Sequence, residues 1–258
     1  MNFEAVKERL CAAGIENAAN EARMLLEAFN GQALEAAVAR RCTHYPLQYI
    51  LGKWAFYREE YEVDENCLIP RSDTEILVDL AINMLPNGAR FLDICTGSGC
   101  IAVSTLKNRP DTTATAVDLF EKTLQLATKN ASANGVASRF TPLQADATKA
   151  PPTALPQHAF DAILSNPPYI ESDILNTLQQ EIRFEPQAAL DGGKDGLLFY
   201  RTILEKWSTL LKKDGLILFE IGYDQAAALE ALATQYGYTC AVKKDFGGND
   251  RVCILKHN

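Results

Sequence analysis

The feature that most constrains the fold is a regular alternation of strand-like and helix-like segments that begins near residue 90. Short apolar and β-branched runs alternate with longer segments whose apolar residues recur at helical spacing. Strands are predicted at 90–94, 113–118, 140–144, 162–165, 216–221, 239–243 and 251–256, and helices at 100–108, 121–134, 173–181, 197–211 and 225–235. Such alternation is typical of a mostly parallel sheet with helices on both faces, because each helix returns the chain to the same end of the sheet.

The last two predicted strands break this pattern. Only the loop Asp245-Phe246-Gly247-Gly248-Asn249-Asp250 joins them, and it leaves no room for a crossover helix. The two strands must therefore pair antiparallel, as a hairpin. We predict an α/β fold whose seven-stranded sheet ends in a reversed hairpin, which is the Rossmann-like sheet of class I methyltransferases rather than the all-parallel dinucleotide-binding sheet.

Two smaller units are predicted before the alternation begins. Residues 1–52 carry apolar residues at helical spacing and are predicted to form a small helical domain. Residues 53–71 hold aromatic residues with charges between them and are predicted to form a β-hairpin linker. Ser72 and Glu75 have the spacing of a capping box, so the domain of residues 72–258 is predicted to open with a helix that runs to about Leu85.

Composition excludes several classes of protein. No apolar run approaches the roughly 18 to 20 residues of a membrane helix, and the start lacks the apolar core of a signal peptide, so we expect a cytoplasmic protein with no membrane partner. The seven cysteines form no Cys-x-x-Cys pair and the three histidines are far apart, so we expect no metal site. The net charge is −8, and residues 1–75 carry 8 Lys or Arg against 13 Asp or Glu, which argues against a stable nucleic-acid partner.

A glycine-rich turn follows the first strand of the alternation and predicts half of a binding site. It consists of Cys95, Thr96, Gly97, Ser98 and Gly99. Glycines let the backbone approach a ligand closely, and open α/β sheets bind ligands at this edge. Asp118, about twenty residues on, ends the second strand, where a carboxylate can accept hydrogen bonds from both ribose hydroxyls of a nucleoside.

The turn alone leaves the cofactor open. Residues 97–102 also satisfy a relaxed dinucleotide fingerprint, which keeps a nicotinamide enzyme in view. Asp93 favours S-adenosylmethionine, because an acid before the glycines opposes a pyrophosphate but suits a cationic sulfonium. Asp146, beside Ala147 after the third strand, is placed to take the adenine amino group, and a solvated loop carboxylate explains Asp146 equally well.

The second half of the predicted site is the segment Asn166, Pro167, Pro168 and Tyr169, which follows the fourth strand. Methyl transfer to a delocalised nitrogen needs hydrogen-bond acceptors that orient its N–H groups and stabilise the growing positive charge. Asn166 offers a side-chain carbonyl, and the two prolines offer stiff backbone carbonyls without a competing N–H. Tyr169 can stack on a planar group. The segment predicts a methyl-acceptor loop with Asn166, Pro167 and Tyr169 as catalytic residues.

Several segments together resemble the bacterial release factor glutamine methyltransferases. They are Ile69-Pro70-Arg71-Ser72-Asp73-Thr74-Glu75, the turn 95–99, Asn166-Pro167-Pro168-Tyr169-Ile170, Glu185-Pro186, the stretch 190–197, Phe219-Glu220-Ile221-Gly222 and Asn249-Asp250-Arg251, which span essentially the whole chain. The sequence departs from the family pattern at Cys95, where glycine is usual, at Ser72, where proline is usual, and at Ala147, where some members carry an aromatic residue. None of the three lies in the acceptor loop.

The resemblance implies a function. It implies transfer of a methyl group from S-adenosylmethionine to N5 of the glutamine in the Gly-Gly-Gln motif of peptide chain release factors. Residues 95–99, Asp118, Asp146 and Ala147 would bind the cofactor, residues 166–169 would grip the glutamine, and the N-terminal helices would dock the release factor.

Three alternatives remain at this stage, and one further role stays open. The same loop could methylate a glutamine of a ribosomal protein or adenine N6 in nucleic acid, and a binding module without catalysis is disfavoured by the full set of site residues. Phe56 or Tyr61, just before the Pro-Arg segment, is a hypothetical cover for the glutamine, against ordinary packing within the hairpin.

Overall fold

The computed structural model of the protein describes residues 1–257. The helices are α1 (Phe3–Ala12), α2 (Ala18–Ala28), α3 (Gly31–Arg41), α4 (Leu47–Leu51), α5 (Glu75–Met84), α6 (Cys100–Asn108), α7 (Glu121–Ala133), α8 (Leu198–Thr202) and α9 (Ala226–Gln235). The strands are β1 (Lys53–Phe56), β2 (Glu59–Glu62), β3 (Arg90–Ile94), β4 (Thr113–Asp118), β5 (Phe140–Gln144), β6 (Phe160–Ser165), β7 (Leu211–Glu220), β8 (Tyr238–Lys244) and β9 (Asp250–His257).

The main sheet has seven strands in the order β5-β4-β3-β6-β7-β9-β8. Neighbours from β5 to β7 pair in parallel, whereas β9 pairs antiparallel with both β7 and β8. The predicted Rossmann-like sheet of class I methyltransferases, with its reversed terminal hairpin, is confirmed. The strand order reverses between β3 and β6, and a ligand cleft is expected at that switch point, outside the carboxyl ends of the strands.

The sheet is buried on both faces because its strands are apolar on both sides. Phe91 packs in the cluster with α5, α6 and α7, while its neighbour Leu92 packs in the cluster that contains Tyr200 and Trp207. Successive side chains of a strand point to opposite faces, so a single strand contributes side chains to the apolar clusters on both faces of the sheet. The ends of these strands are thereby held rigidly, which matters because the site lies there.

The N-terminal helices α1 to α4 enclose an apolar cluster of their own, which includes Val6, Leu10, Leu25 and Val38. The hairpin β1-β2 packs instead against the main domain. Phe56 and Tyr61 meet edge to face with ring centroids 5.9 Å apart, and both rings are buried in the core. The Tyr61 hydroxyl lies 2.6 Å from the Ser104 hydroxyl. The hypothesis that either ring covers a bound glutamine is therefore wrong.

The predicted capping box is also wrong. Ser72 begins a single 3₁₀ turn, Ser72–Thr74, and α5 starts only at Glu75. The Glu75 carboxylate accepts from the backbone N–H of Tyr57, at 2.8 Å, so it ties the hairpin turn to α5 and does not cap its own helix.

The largest departure from the predicted elements lies over the ligand edge of the sheet. Where a helix is predicted at 173–181, the chain forms two separate 3₁₀ turns instead, Ser172–Thr177 and Glu181–Phe184. The helix predicted at 197–211 is helical from Leu198 to Leu210 but irregular: α8 continues as a π-helical turn, Ile203–Trp207, and ends in a 3₁₀ turn, Ser208–Leu210. No helix within residues 1–257 is long and apolar enough to cross a bilayer.

Candidate active site

The glycine-rich turn after β3 takes the backbone shape that its sequence predicts. Gly97 and Gly99 have φ values of +55° and +81°, in the left-handed region that favours glycine. A Cβ on Gly97 would meet no protein atom within 4 Å, and a Cβ on Gly99 would lie 3.1 Å from the Cβ of Ala127 in α7. Cys95, at φ +62°, adopts the same region with a side chain, which is a strained conformation for a residue other than glycine.

Asp93 lies behind this turn and not beside the ligand space. It is fully buried, and its Oδ2 accepts from the Thr96 hydroxyl at 2.6 Å and from the backbone N–H of Ala102 at 3.1 Å. Burial raises the pKa of Asp93 to about 7, opposed by these two hydrogen bonds. The carboxylate therefore fastens the turn to the start of α6, and Asp93 lies too far behind the cavity wall to discriminate between bound cofactors.

Asp118 ends β4 opposite the turn. Its Oδ2 accepts from the backbone N–H of Gly97 at 3.0 Å, and its Oδ1 accepts from the backbone N–H of Phe120 at 3.2 Å. Burial raises the pKa of this carboxyl, and the backbone hydrogen bonds oppose the rise. Each oxygen keeps a lone pair, since a carboxylate can accept about four hydrogen bonds. Asp118 can thus receive two further donors from the cavity.

The corner at Asp146 and Ala147 forms another part of the cavity wall. The Asp146 Oδ1 accepts from the backbone N–H of Thr148 at 2.9 Å and from its hydroxyl at 2.6 Å, and Oδ2 pairs with Lys149 at 3.1 Å. The hydrogen bond from Thr148 is the largest cause of the lowered pKa of Asp146. The carboxylate therefore holds its own loop, and its contact with an adenine stays a prediction.

Asn166 lies directly after β6, in the wall of the same cavity. Its Nδ2 donates to the hydroxyl of Thr74, at 3.2 Å. This contact uses the donor side of the amide and leaves the carbonyl oxygen Oδ1 available as an acceptor. Ser165, the preceding residue, donates to the backbone carbonyl of Ile94 at 2.6 Å and so holds the end of β6 against the end of β3.

The other residues of the acceptor loop divide into two groups. Pro168 lines the cavity with Asn166, whereas Pro167 and Tyr169 are not among the lining residues. The Tyr169 ring packs against the core that contains Tyr200, and burial, with Glu220 nearby, raises the pKa of its hydroxyl to about 12. The structure therefore gives Tyr169 a position behind the loop, and its stacking on a substrate stays a prediction.

Two glycines of the stretch 190–197 clamp the backbone of Tyr169. A Cβ on Gly192 would lie 2.7 Å from the Tyr169 Cα, and a Cβ on Gly196 would lie 2.4 Å from the Tyr169 carbonyl oxygen. The same carbonyl accepts from Gln225 Nε2 at 2.9 Å. A side chain at residue 192 or 196 would collide with the Tyr169 backbone. These contacts therefore explain why the stretch 190–197 is rich in glycine.

One cavity of about 410 Å³ joins the two halves of the site. That volume lies in the range of small-molecule sites. Its wall includes residues that sequence reasoning did not assign to the site, namely Leu68, Pro70, Arg71, Thr74, Leu119, Phe120, Thr123, Ser172, Pro186, Leu198 and Phe199. The motif at residues 69–75 pointed to Arg71 and Thr74, but the contribution of residues 172–199 follows only from the irregular loop that crosses the sheet edge.

Arg71 also borders a second cavity, of about 750 Å³, which lies between the N-terminal helices and residues 179–185. The Arg71 guanidinium pairs with Glu185, and the second Glu185 oxygen accepts from the backbone N–H of Ile69 at 3.0 Å. Arg41 spans the far side, with a 2.6 Å contact to Glu21 and a 3.3 Å contact to Glu181. Arg71 thus lies in the wall of both cavities. The part of the chain that the structure describes holds no group of three acidic, Cys or His residues suited to a metal ion.

Comparisons with known proteins point in one direction. The methyltransferase small domain family matches residues 73–214. A release factor glutamine methyltransferase of Thermodesulfovibrio yellowstonii is 39% identical over 86% of this chain and 80% of its own length. A protein of the same name from Caulobacter vibrioides is 35% identical over 98% of this chain and 94% of its own length. A methyltransferase from Pyrococcus furiosus, 19% identical, shares the fold with a TM-score of 0.57 over 76% of this chain and 87% of that chain.

Proposed function

The chain belongs to the release factor glutamine methyltransferase family, and on that premise we propose that it transfers a methyl group from S-adenosylmethionine to N5 of the glutamine in the Gly-Gly-Gln motif of release factors. It is a methyltransferase by family and by fold. The donor, the target motif and the roles of individual residues are the proposal, and they are supported by the chemistry of the cavity.

The residues of the cofactor half fit S-adenosylmethionine. When bound, this cofactor supplies an electrophilic methyl group on a sulfonium. Asp118 keeps two acceptor positions for ribose hydroxyls, and the space beside Gly97, where no Cβ projects, admits a ligand against the backbone. Leu119 and Phe120 add an apolar wall that suits a nucleobase. Cys95 to Gly99, with Asp146 and Ala147, complete the proposed cofactor site.

The acceptor half is proposed to hold the glutamine amide. Asn166 Oδ1 and the backbone carbonyl of Pro167 accept its two N–H groups, which orients the nitrogen lone pair towards the methyl carbon. The same acceptors stabilise the positive charge that develops on nitrogen during attack. Pro168 fixes the loop, and Tyr169 is proposed to support the amide plane. Asn166, Pro167 and Tyr169 are the proposed catalytic residues.

One observation carries this assignment. The amide of Asn166 donates to Thr74, and Asn166 lies in the wall of the cavity that also contains the glycine-rich turn. An acceptor for the substrate amide and the proposed methyl donor site therefore share one space.

The N-terminal domain, residues 1–52, is proposed to dock the release factor, with the hairpin linker of residues 53–71 and the catalytic domain of residues 72–258 behind it. The cavity bordered by Arg41, Glu181 and Arg71 supports this, because Arg71 also lies in the wall of the cavity that holds the proposed acceptor site. Its mixed charges suit a polar peptide segment on either side of the target glutamine.

The test uses S-adenosylmethionine labelled on its methyl group. The enzyme is incubated separately with a release factor, with the same release factor carrying asparagine in place of the motif glutamine, with ribosomal proteins and with DNA. We expect label only on the unaltered release factor, in a peptide that contains the motif. Label on ribosomal proteins or DNA alone, or equal labelling of the asparagine variant, would contradict the proposal.

A further inference from the structure

One irregular loop, residues 173–189, connects the N-terminal domain to the wall of the catalytic cavity. Backbone hydrogen bonds close its base: the N–H of Ile170 donates to the Leu190 carbonyl at 2.9 Å, and the N–H of Ser172 donates to the Gly193 carbonyl at 3.0 Å. Ile170 directly follows the acceptor loop, residues 166–169. The base of the loop is therefore fixed to the acceptor loop, whereas the position of its far part depends on other contacts.

Those other contacts are made with the N-terminal domain. Glu181 Oε1 accepts from both Nη atoms of Arg41 at 3.3 Å and lies 3.2 Å from His44 Nδ1. The Phe184 ring, at the other end of the same 3₁₀ turn, meets the Tyr45 ring edge to face with centroids 5.2 Å apart. We call these contacts of Glu181 and Phe184 with residues 41–45 the domain clasp.

The N-terminal side of the domain clasp is rigid. Arg41, at the end of α3, is 5% exposed. Its Nε and Nη2 donate to the two carboxylate oxygens of Glu21, in α2, at 2.6 and 3.1 Å. Such a two-pronged pair fixes the plane of the guanidinium as well as its place. Arg41 therefore offers Glu181 a fixed partner.

The loop side has little packing of its own. Leu175 and Glu185 are the only buried residues of 173–189. A segment with so few buried contacts opens easily unless its ends and tip are held. The backbone N–H of Glu185 donates to the Ile182 carbonyl at 3.0 Å, which links the clasp turn to the returning limb of the loop. That limb lines the catalytic cavity with Pro186, Ala188 and Ala189.

We propose that the N-terminal domain positions the wall of the catalytic cavity through the domain clasp, with Arg41 and Tyr45 as positioning residues that act on Glu181 and Phe184. This inference rests on the proposed function, because it takes the cavity to be the site of methyl transfer. When the clasp is broken, the limb that contains Pro186 moves and the cavity holds the reacting groups less precisely. The domain proposed to dock the release factor thereby also completes the site in which the glutamine reacts.

The experiment changes the loop side of the clasp in the full chain. The variants are Glu181→Ala, Phe184→Ala and the double variant. The Glu181 side chain is 36% exposed and Phe184 is 40% exposed, so both can be removed while the buried pair of Arg41 and Glu21 stays intact. Glu171→Ala is the matched control, because Glu171 is an exposed glutamate just before the loop.

Methylation of a release factor gives kcat and KM. We expect Glu181→Ala to lower kcat by about fivefold or more and the double variant to lower it by roughly tenfold to a hundredfold, the scale of misplaced reacting groups. Glu171→Ala should keep kcat within about twofold of the parent enzyme, as is usual for a surface substitution. A parent kcat in the double variant overturns the inference.

Arg41→Gln tests the other side of the clasp. This variant also leaves Glu21 without its partner, so the informative quantity is the further effect of Glu181→Ala. In the Arg41→Gln chain, Glu181→Ala should change kcat by less than about twofold, because residues in one ion pair do not act additively. A second loss as large as the loss in the parent enzyme shows that the two residues act independently, which overturns the role of Arg41.

A measurement without substrate or cofactor follows the cavity wall directly. Cys95 lines the cavity, whereas Cys253 is fully buried in the core beside β7. The rate of alkylation by iodoacetamide at each thiol is read by peptide mass spectrometry. Cys95 should react at least about threefold faster in the double variant, through local opening, while Cys253 reacts at the parent rate. Equal acceleration at both thiols shows global destabilisation and overturns the inference.

The same data separate positioning from docking. If the clasp residues serve only as contacts for the release factor, the double variant raises KM, keeps kcat and leaves the alkylation of Cys95 unchanged, and the inference is wrong. If the parent enzyme methylates no release factor, the proposed function fails, whereas the alkylation of Cys95 still supports or overturns the effect of the domain clasp on the cavity.

Discussion

At the scale of single residues, we expect the largest loss of methyl transfer from substitution of Asn166. Asn166→Ala removes the proposed side-chain acceptor, and we expect methyl transfer to fall by about 100-fold or more while the cofactor affinity is unchanged. Asn83→Ala, an exposed asparagine of α5, is the matched control. Single-turnover methylation measures the first quantity and calorimetry the second. Full turnover by Asn166→Ala would remove this residue from the mechanism.

Substitution of Asp118 should affect the cofactor half of the site. Its two oxygens already accept backbone N–H groups, and they can take two more donors from a ribose. Asp118→Ala should weaken S-adenosylmethionine binding by about 1 to 3 kcal/mol, as expected when hydrogen bonds to a charged group are lost. Asp146→Ala should have a smaller effect, because Asp146 Oδ1 already accepts two hydrogen bonds from Thr148 and Oδ2 is paired with Lys149. Equal affinities for Asp118→Ala and the parent enzyme in calorimetry would contradict the assignment.

At the scale of elements, the acceptor loop depends on the glycine-rich stretch that packs on it. Gly196→Ala must displace the Tyr169 carbonyl, since the new Cβ would lie 2.4 Å from it, and should lower kcat together with the free energy of unfolding. Gly248→Ala is the matched control: Gly248 has φ +86° and Gly196 has φ +66°, but a Cβ at Gly248 meets nothing within 4 Å. The control should cost only the strain of a left-handed alanine, about 1 kcal/mol, and keep kcat. Equal kcat values for both variants would show that the clamp does not position the loop.

At the scale of the whole molecule, two buried carboxyls should shape the dependence of stability on pH. Burial raises the pKa of both Asp93 and Glu220 to about 7, above their ordinary values of 3.8 and 4.5. At pH values between the ordinary and the raised pKa of each group, the folded state therefore binds more protons than the unfolded state. Their stabilising contribution is complete below the unfolded pKa values and is lost as the pH rises through about 7, at up to about 1.4 kcal/mol per pH unit for each group.

Chemical denaturation without cofactor at several pH values measures this. The free energy of unfolding should decrease from about pH 5 to pH 8, and Glu220→Gln should flatten part of that decrease. Groups such as Asp146, whose pKa is lowered by its hydrogen bond from Thr148, act in the opposite sense and at lower pH. A free energy of unfolding that rises between pH 5 and pH 8 would show that these two carboxyls do not control stability there.

Much of the fold was predictable because its signals are local. Each main-sheet strand begins and ends within a few residues of its predicted bounds apart from β7, which starts at Leu211 and not at residue 216. The helix predicted at 173–181 failed because this segment buries little: Leu175 is buried but Ile174 is 46% exposed. Without an apolar face to pack, local helical spacing does not hold a helix.

The sequence by itself determined the parallel sheet, its reversed terminal hairpin and the presence of a glycine-rich turn and an Asn-Pro-Pro-Tyr segment, because apolar periodicity, loop length and the restricted backbones of glycine and proline act within a few residues. Only the tertiary structure decided that Asp93 fastens the turn from behind, that Tyr169 packs inward, and that Thr74 adjoins Asn166. Thr74 and Asn166 are separated by 92 positions in the chain. Their proximity depends on strand order and burial, which arise from packing of the whole sheet and leave no local pattern to read.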